Sequence, residues 1–137
     1  MPYLQQNSLL SEFRRCKLHV CTSCREKGTP REPRENRPGF KLYEELTAKL
    51  RGSTLREHVD IEPVRCLSLC PRPCGIALSA SGAWSYLFGD QKPGKTADEI
   101  LECIATYISV QNGHMARDAR PKTLQASILG RIPPLQH

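Results

Sequence analysis

The spacing of the cysteines constrains this chain more than any other feature. Seven cysteines occur in 137 residues, and five of them fall in two groups: Cys21-x2-Cys24, then 41 residues, then Cys66-x3-Cys70-x3-Cys74. An odd count and no apolar leader before the first cysteine argue against a secreted disulfide framework. Reduced cysteines at this spacing are the pattern of a soft-metal or iron–sulfur site. Three cysteines within nine residues rarely serve packing alone, so this cluster is expected to be buried around a centre.

The order of elements says why two distant groups should meet. Lys17–Cys21 alternates polar and apolar residues as a strand does, and so does Val59–Val64. Between them, Phe40–Leu50 places Tyr43, Leu46 and Leu50 on one helical stripe, with Gly52 as a stop. A β-α-β unit makes its two strands parallel, so both end at the same sheet edge. Cys21 and Cys24 close the first strand, and Cys66 and Cys70 follow the second. Both pairs should therefore arrive at the carboxyl edge, close enough to share one centre. Pro63 lacks an N–H donor and predicts an edge position for the second strand.

The rest of the chain completes one small domain. Gly75–Ala80 and Ala83–Phe88 make a hairpin about Ser81-Gly82, with Trp84, Tyr86 and Phe88 on one face. Thr96–Ile108 is the strongest helix, with Thr96 as a cap, Asp98 and Glu99 at its positive end, and a stripe of Ala97, Leu101, Ile104 and Ile108. Lys27–Gly39 carries Pro30, Pro33 and Pro38 and is expected to be an exposed loop closed by Gly39. The fold class is α/β with the order β-α-β-β-β-α. Residues 1–15 form a lead-in, 16–110 the domain, and 111–137 an extension with a short helix over Lys122–Leu129.

Composition removes several functions. Apolar residues make up 39% and charged residues 25%, a globular balance. No run approaches the ~18 apolar residues of a membrane helix, and Met1–Arg15 lacks a signal-peptide core, so a cytoplasmic protein is expected. The 20 Lys and Arg exceed the 14 Asp and Glu, chiefly in Arg25–Arg37 and Arg117–Arg131. Neither stretch interleaves aromatic residues with the basic ones, which argues against nucleic acid as the partner. Phosphate-loop, nucleophile-elbow and zinc-protease motifs are all missing.

Soft sulfur ligands suit zinc or a 2Fe–2S cluster and make magnesium, calcium and manganese poor fits. Either centre with four thiolates carries about two net negative charges. Arg25, Lys27, Arg65 and Arg72 flank the cysteines in sequence and are placed to offset that charge. Cys21, Cys24, Cys66 and Cys70 are the candidate ligands. Cys74 is a candidate fifth thiol, expected near the site and acting on its ligands. Cys16 and Cys103 are expected to be small buried hydrophobes. His19, His58, His114 and His137 are scattered, and no histidine pair stands beside the cysteines.

At Cys66-Leu67-Ser68-Leu69-Cys70, followed by Gly75-Ile76-Ala77-Leu78, the chain resembles the thioredoxin-like 2Fe–2S ferredoxins. The fuller set HVCTSCREKG, PGFKLYEELTAKL, RCLSLCPRPCGIALSASGAWSYLFGD and ILGRIPP is similar to a bacterial family of predicted metal-binding proteins. The likeness spans Leu18 to Pro134. It implies a thioredoxin-like sandwich and a metal site. The close first pair and Cys74, which falls where those ferredoxins carry Gly-Pro, depart from the ferredoxin pattern and keep zinc open.

Three functions follow. The first is a 2Fe–2S ferredoxin-like electron carrier or cluster-holding protein that serves a redox or metal-receiving protein partner. The second is a zinc or cobalt carrier. The third, the one enzyme among them, is a thioredoxin-type thiol–disulfide oxidoreductase using Cys21 and Cys24. A Pro-rich loop after Cys24, in place of a helix N-terminus, weighs against it.

Overall fold

The computed structural model of the chain describes residues 15–25, 27–28, 30, 32–69 and 71–135. Strand β1 (Cys16–Cys21) runs parallel to β2 (Val59–Val64), with Cys16 opposite Val59 and Cys21 opposite Val64. Helix α1 (Pro38–Arg51) supplies the connection that a parallel pair requires. Strand β3 (Ile76–Ser79) pairs antiparallel with β1 on its other side, and β4 (Ser85–Phe88) pairs with β3. Helix α2 (Ala97–Ser109) follows, then α3 (Lys122–Ala126) and a fifth strand, β5 (Ile128–Ile132). The sheet order is β2-β1-β3-β4-β5, so β2 lies at an edge, as Pro63 requires.

Two helices close the core over one sheet face. Helix α1 packs on β1, β2 and α2. Its buried line is Gly39, Leu42, Leu46 and Leu50, one step round from the expected stripe, with Tyr43 only partly buried. The i, i+4, i+8 spacing of those leucines puts them on one face, and each stabilises the fold by about 2 kcal/mol on burial. From α2, Ile100, Cys103, Ile104, Tyr107 and Ile108 share one buried cluster with Leu18, Val20, Ile76, Leu78, Tyr86 and Phe88 of the sheet. Tyr86 stacks on Phe88 with ring centroids 6.1 Å apart. Its hydroxyl donates to Gly113 O at 2.9 Å and accepts from Met115 N at 2.8 Å, which satisfies a fully buried polar group.

Several expectations need correction. Pro38 and Gly39 do not close a loop but open α1, where proline's fixed φ suits the first helical position. Thr96 precedes α2, yet its side chain does not cap the helix; its Oγ1 accepts from Lys92 N at 3.1 Å instead. Trp84 lies outside β4 and is half-buried, with Arg131 over its ring at 4.6 Å. The helix expected over Lys122–Leu129 stops at Ala126, and the following residues add β5 to the sheet beside β4. Cys16 and Cys103 are buried as expected, and burial pushes the Cys103 thiol up to about 12. Of the expected lead-in, residues 1–14 lie outside the described residues.

Candidate metal centre

The end of β1 is held from both sides. Cys21 N donates to Gly75 O at 3.1 Å, and Thr22 N to Val64 O at 2.9 Å, so pairing with β3 and β2 continues past the strand. The chain then turns through Ser23 to Cys24. Gly39, at the start of α1, donates its N–H to Cys24 O at 3.1 Å. The approach is close: a Cβ on Gly39 would stand 2.1 Å from Cys21 O and 3.1 Å from Cys24 Cβ. The loop that was expected to separate Cys24 from any helix thus returns the N-terminus of α1 to this turn.

Cys21, Cys24 and Cys74 are all buried. Cys24 is the middle member in electrostatic terms, its thiol influenced by Cys21 on one side and Cys74 on the other. Backbone amides also reach the sulfurs. Gly75 N donates to Cys24 Sγ at 3.3 Å and Ser68 N to Cys66 Sγ at 3.2 Å. Cys21 Sγ also lies 3.8 Å from Arg65 O. The thiol bond to Cys24, reinforced by burial, pushes the Cys21 pKa up. For Cys24 the bond to Cys21 acts downward, but the bond to Cys74 and burial outweigh it and push the thiol up to about 11. Both shifts favour the protonated thiol at neutral pH.

Cys74 is fixed through its backbone. Its N–H donates to Gln91 O and its carbonyl accepts from Gln91 N, each at 3.1 Å. Two residues earlier, Arg72 O accepts from Asp90 N at 2.9 Å, and Arg72 Nε lies 2.9 and 2.8 Å from the two Asp90 carboxylate oxygens. Arg72 thus anchors the turn and is answered by a carboxylate of its own. Gly75 is required by contact, since a Cβ there would meet Leu69 Cδ1 at 2.8 Å.

Cys66 stands after β2, at the edge where β1 also ends, but it is exposed, against the expectation that the later cluster is buried throughout. Cys70 lies outside the described residues. Among the described residues no three His, Cys, Asp or Glu side chains form a ready metal-holding group. What the fold brings to one end of the sheet is buried Cys21, Cys24 and Cys74, with exposed Cys66 following β2 at that same end. Two residues that the sequence did not single out also reach the turn. Arg34 Nη2 donates to Ser23 Oγ at 3.0 Å, and Arg37 Nη1 to Ser23 O at 3.5 Å. Both sit in the charged, Pro-rich loop, where nothing local sets them apart from solvated arginines.

A family model described as a protein of unknown function, DUF1636, matches residues 18–134. The chain belongs to that family. No curated protein matches it. Among solved structures it is similar to a thioredoxin-like [2Fe-2S] ferredoxin from Aquifex aeolicus, at TM-score 0.58 and 17% identity, over 90% of this chain and 99% of that one. A second structure of the wild-type ferredoxin from that organism gives TM-score 0.53 and 13% identity, over 85% and 98%. At such identities the likeness establishes the fold, which is thioredoxin-like. Among the described residues no helix is long and apolar enough to cross a membrane.

Proposed function

We propose that this DUF1636 protein holds a cysteine-ligated centre through Cys21, Cys24, Cys66 and Cys70, and that the centre is a 2Fe–2S cluster. In that reading it is a cytoplasmic, ferredoxin-like electron carrier or cluster-holding protein that serves a redox or metal-receiving protein partner. One observation carries the reading: sulfurs at the shared end of β1 and β2 accept backbone N–H groups. An amide on sulfur favours the thiolate over the thiol and tunes the potential of a cluster bound there. The donor set fits soft metals, and four thiolates complete a 2Fe–2S centre. When bound, the cluster supplies one-electron chemistry; the chain's part is to position the thiolates, donate amides to them and shield Cys21 and Cys24 from water.

A second reading, a zinc or cobalt carrier, is favoured by the short Cys21–Cys24 turn and by the extra buried thiol of Cys74. The oxidoreductase reading is disfavoured by the direction in which the thiols shift. Reactive cysteines have lowered pKa values, whereas those of Cys21 and Cys24 are raised. Purification without oxygen tests the choice, with iron, sulfide and zinc measured per chain alongside the absorption spectrum. A brown protein with equal iron and sulfide supports the cluster. A colourless protein with one zinc supports the carrier. A colourless protein without metal, which takes up none on reconstitution, overturns both.

A further inference from the structure

The Cys21–Cys24 turn is bracketed by positive charge that its own sequence neighbours do not supply. Arg34 and Arg37 both donate to Ser23, which lies between the two cysteines. The Arg37 side chain is only 14% exposed and also meets Glu32, which is 77% exposed, at 3.5 Å. Arg34 Nε is buried and, among the described residues, has no acceptor. The N-terminus of α1 adds its partial positive charge through the Gly39 amide on Cys24 O. Of the flanking cations expected to do this work, Arg72 is already paired with Asp90.

A buried guanidinium N–H without an acceptor is costly and calls for an explanation. Thiolates around a metal would give this turn a net negative charge. Arg34 is held by one nitrogen on Ser23, between the two cysteines, and keeps a second, unanswered N–H among the described residues. We propose that Arg34, with Arg37 beside it, is a positioning and charge-compensating residue for the thiolate centre, and that it sets how tightly the centre is held. This rests on the metal-binding reading above. It adds a determinant of affinity that lies more than nine residues from the nearest cysteine in sequence.

The test is anaerobic titration of the full, metal-free chain with Co2+ against a competing chelator, followed by thiolate-to-cobalt absorption. Arg34→Gln is expected to weaken Co2+ binding about fivefold or more, as loss of a nearby opposite charge should. Arg34→Lys, which keeps the charge and changes the shape, is expected to recover most of that loss. Far-UV circular dichroism of the metal-free variants is expected to match the wild type. If Arg34→Gln does not fold, Ser23→Ala carries the test: it removes only the hydroxyl that holds the guanidinium and should weaken binding two- to threefold, by. Wild-type affinity in the Gln variant, or equal losses in the Gln and Lys variants, overturns the proposal and leaves the metal reading standing. If the wild type forms no cobalt–thiolate absorption, the metal reading fails and this inference fails with it.

Discussion

Gly39 lies so close to Cys21 that a single methyl group on its α-carbon would stand 2.1 Å from the Cys21 carbonyl oxygen. No real Cβ fits there, and the obstacle is backbone, which cannot rotate aside. Gly39→Ala is therefore expected to push α1 and the Cys21–Cys24 turn apart. The cost should reach about 1–3 kcal/mol or more, as overpacking does, measured by urea unfolding. Metal content per chain should fall as well. A variant with wild-type stability and loading would show that the contact does not constrain the site.

Removing candidate ligands should separate the cysteines into two groups. Cys24→Ser and Cys70→Ser are expected to abolish stable metal loading. Cys74→Ser is expected to keep the centre while shifting its potential or lifetime, because the next residue, Gly75, donates its N–H to Cys24 Sγ. Parallel anaerobic preparations analysed for iron, sulfide and zinc decide the matter. An empty Cys74→Ser protein beside a loaded Cys24→Ser protein would put Cys74 among the ligands and reverse the assignment.

Metal removal should leave most of the fold in place. Cys21, Cys24 and Cys74 belong to the same buried cluster as Leu18, Leu42, Leu46, Ile76, Tyr86, Ile100 and Ile104, but most of that cluster is apolar side chains of the helices and the sheet. A chelated protein is expected to retain its helical circular dichroism. The segments around Cys24 and Cys66–Cys74 should exchange amide protons faster, since a bound metal contributes its binding energy to the local fold. Loss of most helical signal would mean that the core is not self-sufficient.

The clamp between Arg72 and Asp90 gives a pH dependence of known sign. The Arg72 hydrogen bond holds the Asp90 carboxyl below its ordinary value. A depressed folded pKa stabilises above the unfolded value of about 3.9 and is lost as pH falls through the folded one. Both side chains are substantially exposed, so the effect is screened and small. In metal-free protein, Asp90→Asn is expected to be less stable than wild type at pH 6, and the gap should close as pH falls through the depressed carboxyl pKa of the folded state. A gap that persists at low pH would mean that the substitution acts by another route.

Much of the fold was legible because it rests on local pattern. The alternation in Lys17–Cys21 and Val59–Val64 and the helical spacing after Phe40 appear in the structure with end shifts of at most two residues. The parallel pairing of β1 and β2, and with it the common edge for Cys21 and Cys66, follows from element order alone. Strand β5 was missed because Ile128–Ile132 is short and contains Gly130; it becomes a strand only by pairing with β4. The start of α1 was misplaced because Pro38 and Gly39 look like loop residues until the contact that needs a glycine is known.

The cysteine spacing and the element order by themselves brought Cys21 and Cys66 to one end of the sheet, since strand pattern and connection are local properties. Tertiary structure alone decided how that edge is built. Gly39 turns α1 onto the cysteine turn, Gln91 fixes the backbone of Cys74, and Arg34 and Arg37 reach Ser23. Each of these contacts joins residues far enough apart that neither one's immediate neighbours carry a sign of the other. Hydrogen bonds and close backbone contacts of this kind depend on packing geometry, which appears only when the helices and sheet have come together.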